Sequence, residues 1–158
     1  ADGHIYLDTN LFFEGKRPPV NPFLSVTRVG RQTQTLLQRD ISQKLIVMLT
    51  SFVKTSRFIK FGTELGENSR EILAMGNRIW QLFSQPTEEH VPSDLQVILL
   101  GLLISNNWNG SGLDKAMTAY TGSDELQKKV RDIIAGCETV DQLSAQVNKN
   151  IDTLKTLI

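Results

Sequence analysis

The chain has 158 residues, 40% of them apolar, and its seventeen Lys/Arg balance its seventeen Asp/Glu. That length suits one domain or slightly more and is enough to bury a real core. The single Cys137 excludes an internal disulfide framework and fits a reducing compartment, with plain packing near a helix end as its expected role. His4 and His90 lie far apart without Cys partners at metal spacing, so no metal site is expected. There is no signal peptide and no apolar run of membrane-spanning length.

Two short β-type runs open the chain, Ile5 to Leu7 and Leu24 to Thr27. Between them Pro18, Pro19 and Pro22 hold Arg17 to Pro22 extended, because proline fixes its own φ and drives its predecessor out of the helical region. The second run ends on Arg28, and Val29-Gly30 turns the chain away. A guanidinium at the tip of a stiff strand suits an arginine that meets phosphate across an interface, since its planar fork binds phosphate oxygens bidentately and stays charged.

Helical periodicity follows. Leu37, Ile41, Leu45, Met48 and Phe52 form one apolar stripe, predicting a helix over about 32–57. Gly62 and Gly66 bracket a turn, and a second helix is expected over 69–83, opened by Asn68 and Glu71 as a capping box. Its inward stripe is Ile72, Gly76, Ile79 and Phe83, with Trp80 beside it. Pro86 and Pro92 bracket a loop before a third helix over 93–106, apolar nearly all round and therefore central. The run from Asn106 to Gly112 reads as a plain linker by its turn chemistry. Short helices are expected over 113–120 and 124–135, the latter with Ser123 as cap and Gly136 as stop. A last helix begins at a Thr139/Gln142 capping box and carries Leu143, Val147, Ile151, Leu154 and Ile158 to the terminus. The expected fold is mainly α: a helical bundle over 32–158 preceded by a small β remnant over 1–31.

Net charge is uneven. Residues 1–60 hold nine Lys/Arg against four Asp/Glu, and residues 61–158 hold eight against thirteen. The basic residues are scattered over strand, loop and helix without interleaved aromatics, so nucleic-acid binding is not expected.

The opening from Asp2-Gly3-His4-Ile5-Tyr6-Leu7-Asp8-Thr9 through Arg17-Pro18 to Leu24-Ser25-Val26-Thr27-Arg28-Val29-Gly30 resembles the α subunit of F-type ATP synthases. The likeness continues through Phe58 to Leu65 and through Arg78 to Gln85, and beyond Asn106 fades to helical pattern. The β subunit and the V-type and secretion ATPases have Tyr-Pro where this chain has Arg17-Pro18. No G-x-x-x-x-G-K-[ST] phosphate loop is present. The resemblance therefore implies a C-terminal piece of the subunit: the last strands of the nucleotide domain and the helical domain.

Further implications are expectations of the same kind. Arg28 would be the arginine that reaches into the catalytic site of the adjacent β subunit, and Ser25 a hydroxyl required for activity that holds the arginine loop. Arg17, Pro18 and Gln85 would form the purine side of a non-catalytic nucleotide site. The family's second Gln is replaced by Thr87, followed by Glu88 and Glu89. Phe61 to Leu65 would face the rotating stalk, with Gly66 where the family has an acid. ATP or ADP with Mg²⁺ would bind the full-length subunit, and no tight nucleotide binding is expected of this piece. The partners would be β subunits, the central stalk (gamma) and the peripheral stalk (delta/b). The setting would be a peripheral membrane complex, on the cytoplasmic face in bacteria or the matrix or stroma side in organelles, reaching the membrane only through the whole assembly. Two rival readings are an export or secretion ATPase and a free-standing helical interaction module derived from a rotary or export ATPase.

Overall fold

The computed structural model describes residues 2–60, 66–85 and 90–158, the Lys60 side chain excepted. The expected rotor-facing run from Phe61 to Leu65 and the positions Pro86 to Glu89, Thr87 included, lie outside the described residues.

The β part is smaller than expected, and its two halves pair with each other. Strand β1 (Gly3–His4) runs antiparallel to β2 (Val26–Thr27), with Gly3 opposite Thr27 and His4 opposite Val26. Ile5 to Leu7 do not form a strand; Leu7 makes an isolated bridge to Val20 instead. Leu24 lies in a turn rather than in β2, because the Asn21 Oδ1 accepts the N–H groups of Phe23 and Leu24 and bends the chain after Pro22. A short helix, α1 (Thr9–Phe13), sits between the strands, and Asp8 caps it by accepting the Asn10 N–H. The peptide bond between Arg17 and Pro18 is cis. Val29 and Gly30 do not merely turn the chain; they open a five-residue helix, α2 (Val29–Thr33).

The first long helix, α3 (Leu36–Lys60), starts later than the periodicity suggests. Thr35 Oγ1 accepts the Gln38 N–H while Gln38 Oε1 accepts the Thr35 N–H, a complete capping box that separates α3 from α2. Helix α4 (Glu67–Phe83) has Gly66 at its N-cap and no side-chain cap. The expected Asn68/Glu71 box is therefore absent; both residues lie within the helix, and Glu67 places its charge at the favourable end of the helix dipole. Helices α3 and α4 pack closely at Gly76, where a Cβ would collide with the Phe52 ring.

The centre is α5 (Ser93–Ile104), whose Leu95, Ile98, Leu99, Leu102 and Leu103 have no exposed surface. It packs on α4, α7 (Asp124–Ala135) and α8 (Val140–Lys149). Ser123 caps α7 by accepting the Leu126 N–H, and Gly136 ends it. The segment between α5 and α6 (Leu113–Thr121) is more than a linker: Trp108 is buried and its Nε1 donates to the Ser111 carbonyl at 2.8 Å. Cys137 is buried beside the end of α7 and donates to the Ile133 carbonyl, and burial pushes its thiol pKa up.

At α8 the Thr139 hydroxyl accepts the Gln142 N–H, while Gln142 Oε1 reaches the Glu138 N–H, one residue short of the full box. A second cap comes from far away. Asp40 of α3 accepts the Val140 N–H at 2.7 Å, and Lys44 one turn on pairs with Asp141 at 2.7 Å. The last helix does not run unbroken to the terminus. It stops at Asn150, and a short α9 (Ile151–Leu154) and a 3₁₀ turn (Lys155–Leu157) follow. This break turns Leu157 inward and leaves Ile158 exposed.

Candidate functional site

The residues singled out by sequence fall into two groups, both built on the segment between α1 and α2. The first surrounds a cavity of about 380 Å³. Pro18, Val20 and Pro22 wall one side, Leu45 and Leu49 of α3 and Ile79 and Trp80 of α4 wall another, and Gln85 closes it just past the end of α4. Proline rings offer a rigid apolar face, and the Gln85 amide offers both a donor and an acceptor. This suits a flat heteroaromatic ring with polar edges.

Arg17 takes part differently from the expectation. Its carbonyl accepts the Gln85 N–H at 2.8 Å, tying the proline segment to the end of α4. Its guanidinium donates to the Phe12 and Lys16 carbonyls and lies 3.9 Å from the centre of the Phe12 ring. Arg17 thus braces the cavity through its backbone, while Pro18 and Gln85 line it. Lys16 adds a second brace, its ammonium 5.2 Å from the centre of the Trp80 ring. Neither Lys16 nor Trp80 stands out as a site residue in the sequence, because their meeting depends on how the arm folds back onto α4.

The second group is the arginine loop. Arg28 follows β2 directly, and its side chain is 77% exposed. Its backbone N–H donates to the Asp2 carbonyl at 2.9 Å and its Nη2 to Asp2 Oδ1 at 2.6 Å. The Asp2 carboxylate is itself exposed, so the pair is weak and easily exchanged for another anion. Ser25 is half-buried and works on the backbone: its hydroxyl donates to the Asn21 carbonyl at 2.7 Å and accepts the Tyr6 N–H at 3.0 Å. Thr27 accepts the Gly30 N–H at the start of α2. Asn21 Nδ2 donates to Asp8 Oδ2, and chiefly for that reason the Asp8 carboxyl sits below its ordinary pKa. Sequence reading passes over Asn21, although an Asn before Pro is a turn-initiating signal.

Among the described residues, no group of three or more His, Cys, Asp or Glu is placed to hold a metal ion, and no helix is long and apolar enough to cross a membrane.

A family model described as the ATP synthase alpha/beta chain, C terminal domain, matches residues 34–156. The chain belongs to that family. It is also similar to the ATP synthase subunit alpha of Clostridium acetobutylicum, with 29% identity over 162 residues, covering 99% of this chain and 32% of that protein. This chain thus spans about a third of the relative's length. The helical bundle is the C-terminal domain of an ATP synthase alpha subunit, and the similarity extends through the β hairpin and arginine loop that precede it.

Proposed function

We propose that the chain serves as the C-terminal part of the alpha subunit of a rotary ATP synthase, in which ATP synthesis or hydrolysis is coupled to ion translocation. The subunit is regulatory. It lends Arg28 to the catalytic site of a neighbouring β subunit, and its Pro18–Gln85 cavity takes the base of a nucleotide whose phosphates and Mg²⁺ the rest of the subunit holds. Beta subunits and the central and peripheral stalks are the partners, and the assembly sits peripherally on the membrane.

One observation carries this reading: Arg28 stands at the end of β2 with a free-reaching guanidinium and only an exposed carboxylate for a partner. In phosphoryl transfer the protein mainly positions groups and neutralises charge on the equatorial oxygens, and an arginine supplied from a neighbour is worth about 10³–10⁵ in rate. In the assembled complex, Arg28→Lys keeps the charge and loses the bidentate fork. Turnover should fall by about 10³ while nucleotide binding stays near wild type. A variant complex turning over at the wild-type rate would make Arg28 a surface residue and remove this reading.

A further inference from the structure

Arg28 is placed by its backbone, because its one side-chain partner is exposed. The backbone that places it runs back to a single residue. Asn21 Nδ2 donates to Asp8 Oδ2 at 2.9 Å, and Asn21 Oδ1 accepts from the Phe23 and Leu24 N–H groups at 3.0 and 3.2 Å. The Asn21 N–H donates to the Tyr6 carbonyl at 2.9 Å, and its own carbonyl accepts both the N–H of Ser25 and its hydroxyl. Ser25 Oγ then accepts the Tyr6 N–H, and β2 begins at the next residue.

We infer that Asn21 is the positioning residue for Arg28, knotting residues 21–25 to Tyr6 and Asp8 so that β2 delivers the guanidinium from a fixed point. The inference rests on the role proposed above for Arg28. It explains why the residue is an asparagine. An aspartate could accept from Phe23 and Leu24 but could not donate to Asp8, and would set two carboxylates side by side. A serine lacks the reach and the second polar atom. Ser25 is the last link of this knot rather than its source, since both of its hydrogen bonds end on groups that Asn21 also holds.

The test compares Asn21→Ala, Asn21→Asp and the double exchange Asp8→Asn with Asn21→Asp. The double exchange swaps donor and acceptor while leaving an oxygen to cap α1 and another to hold the turn. In the 158-residue chain, hydrogen exchange at the Arg28 amide should quicken by about tenfold in either single variant, as expected for losing one or two such bonds. The Arg28 Nε signal should sharpen as the side chain gains freedom, while Leu99 and the Trp108 indole stay unchanged. The double exchange should restore the wild-type values. An Arg28 signal and amide indifferent to Asn21→Ala would overturn the inference, as would a double exchange no better than its parent. In the assembled complex, Asn21→Ala should lower kcat and leave nucleotide binding unaltered, a split that general unfolding cannot produce. If Arg28 loosens and kcat does not move, the placement by Asn21 stands and the proposed role of Arg28 fails.

Discussion

From Asp2 to Leu36 no described side chain is fully buried, whereas from Leu37 onward the chain encloses an apolar core drawn from almost every helix. The first region exposes Ile5, Leu7, Phe13 and Val26 and keeps its shape by hydrogen bonds: the β1–β2 pairs, the Asp8 cap and the Asn21 knot. The second keeps its shape by burial. Both candidate groups depend on the region without a core of its own. The lesson is a division of labour, in which the bundle supplies stability and the hydrogen-bonded arm supplies reach.

Native-state hydrogen exchange probes that division most directly. Amides from Gly3 to Val29 should open locally at small free-energy cost, while those of Leu99 and Leu103 should exchange near the global limit, a gap of several kcal/mol. Uniform strong protection would show that the arm has found burial elsewhere, for example against a second chain. Truncations come next. Leu99→Ala should lower unfolding free energy by about 2–5 kcal/mol in urea titration. Phe13→Ala, at a position 85% exposed, should change it by less than about 0.5 kcal/mol.

A smaller effect is expected at the α3–α4 contact. Gly76→Ala improves helix propensity by about 0.8–1.0 kcal/mol, yet the new methyl collides with the Phe52 ring. Overpacking of this kind costs about 1–3 kcal/mol, so the melting temperature should fall slightly; a rise would mean that Phe52 yields easily. The smallest effect belongs to the arm and to pH. Asp8 titrates below its ordinary value, so its contribution is fully present above about pH 4 and is lost as pH falls through the lowered pKa. On acidification, nuclear magnetic resonance should show the hydrogen bond from Asn21 to Asp8 failing below about pH 4 while the bundle signals hold. Loss at neutral pH would contradict the assignment.

Much of the bundle is legible because its signals are local and periodic. The Ser123 cap, the Gly136 stop and the all-apolar α5 stand where residue type and spacing put them. The errors have equally physical causes. A stripe of one residue per turn omits the flank of a wide apolar face, so it misses Leu49 and Leu82 although both are buried. The Thr35/Gln38 box is present in the sequence, and overlooking it merges α2 into α3. At the sites, Pro18 and Gln85 do meet across one cavity with the Arg17 carbonyl between them. The turn of the Arg17 side chain onto Phe12 depends on α1, whose existence no periodicity announces.

The cap that Asp40 gives to Val140 spans a hundred positions of sequence. A helix start completed by its own neighbours can form as soon as those residues emerge; one completed from the first long helix cannot. The beginning and end of the bundle are therefore fastened to each other at a point where neither is finished alone. Such a closure slows the search for the native topology, because loop entropy must be lost before the contact repays it. In return, fraying at the tail is opposed by a residue anchored at the head, and the bundle opens as one unit rather than helix by helix.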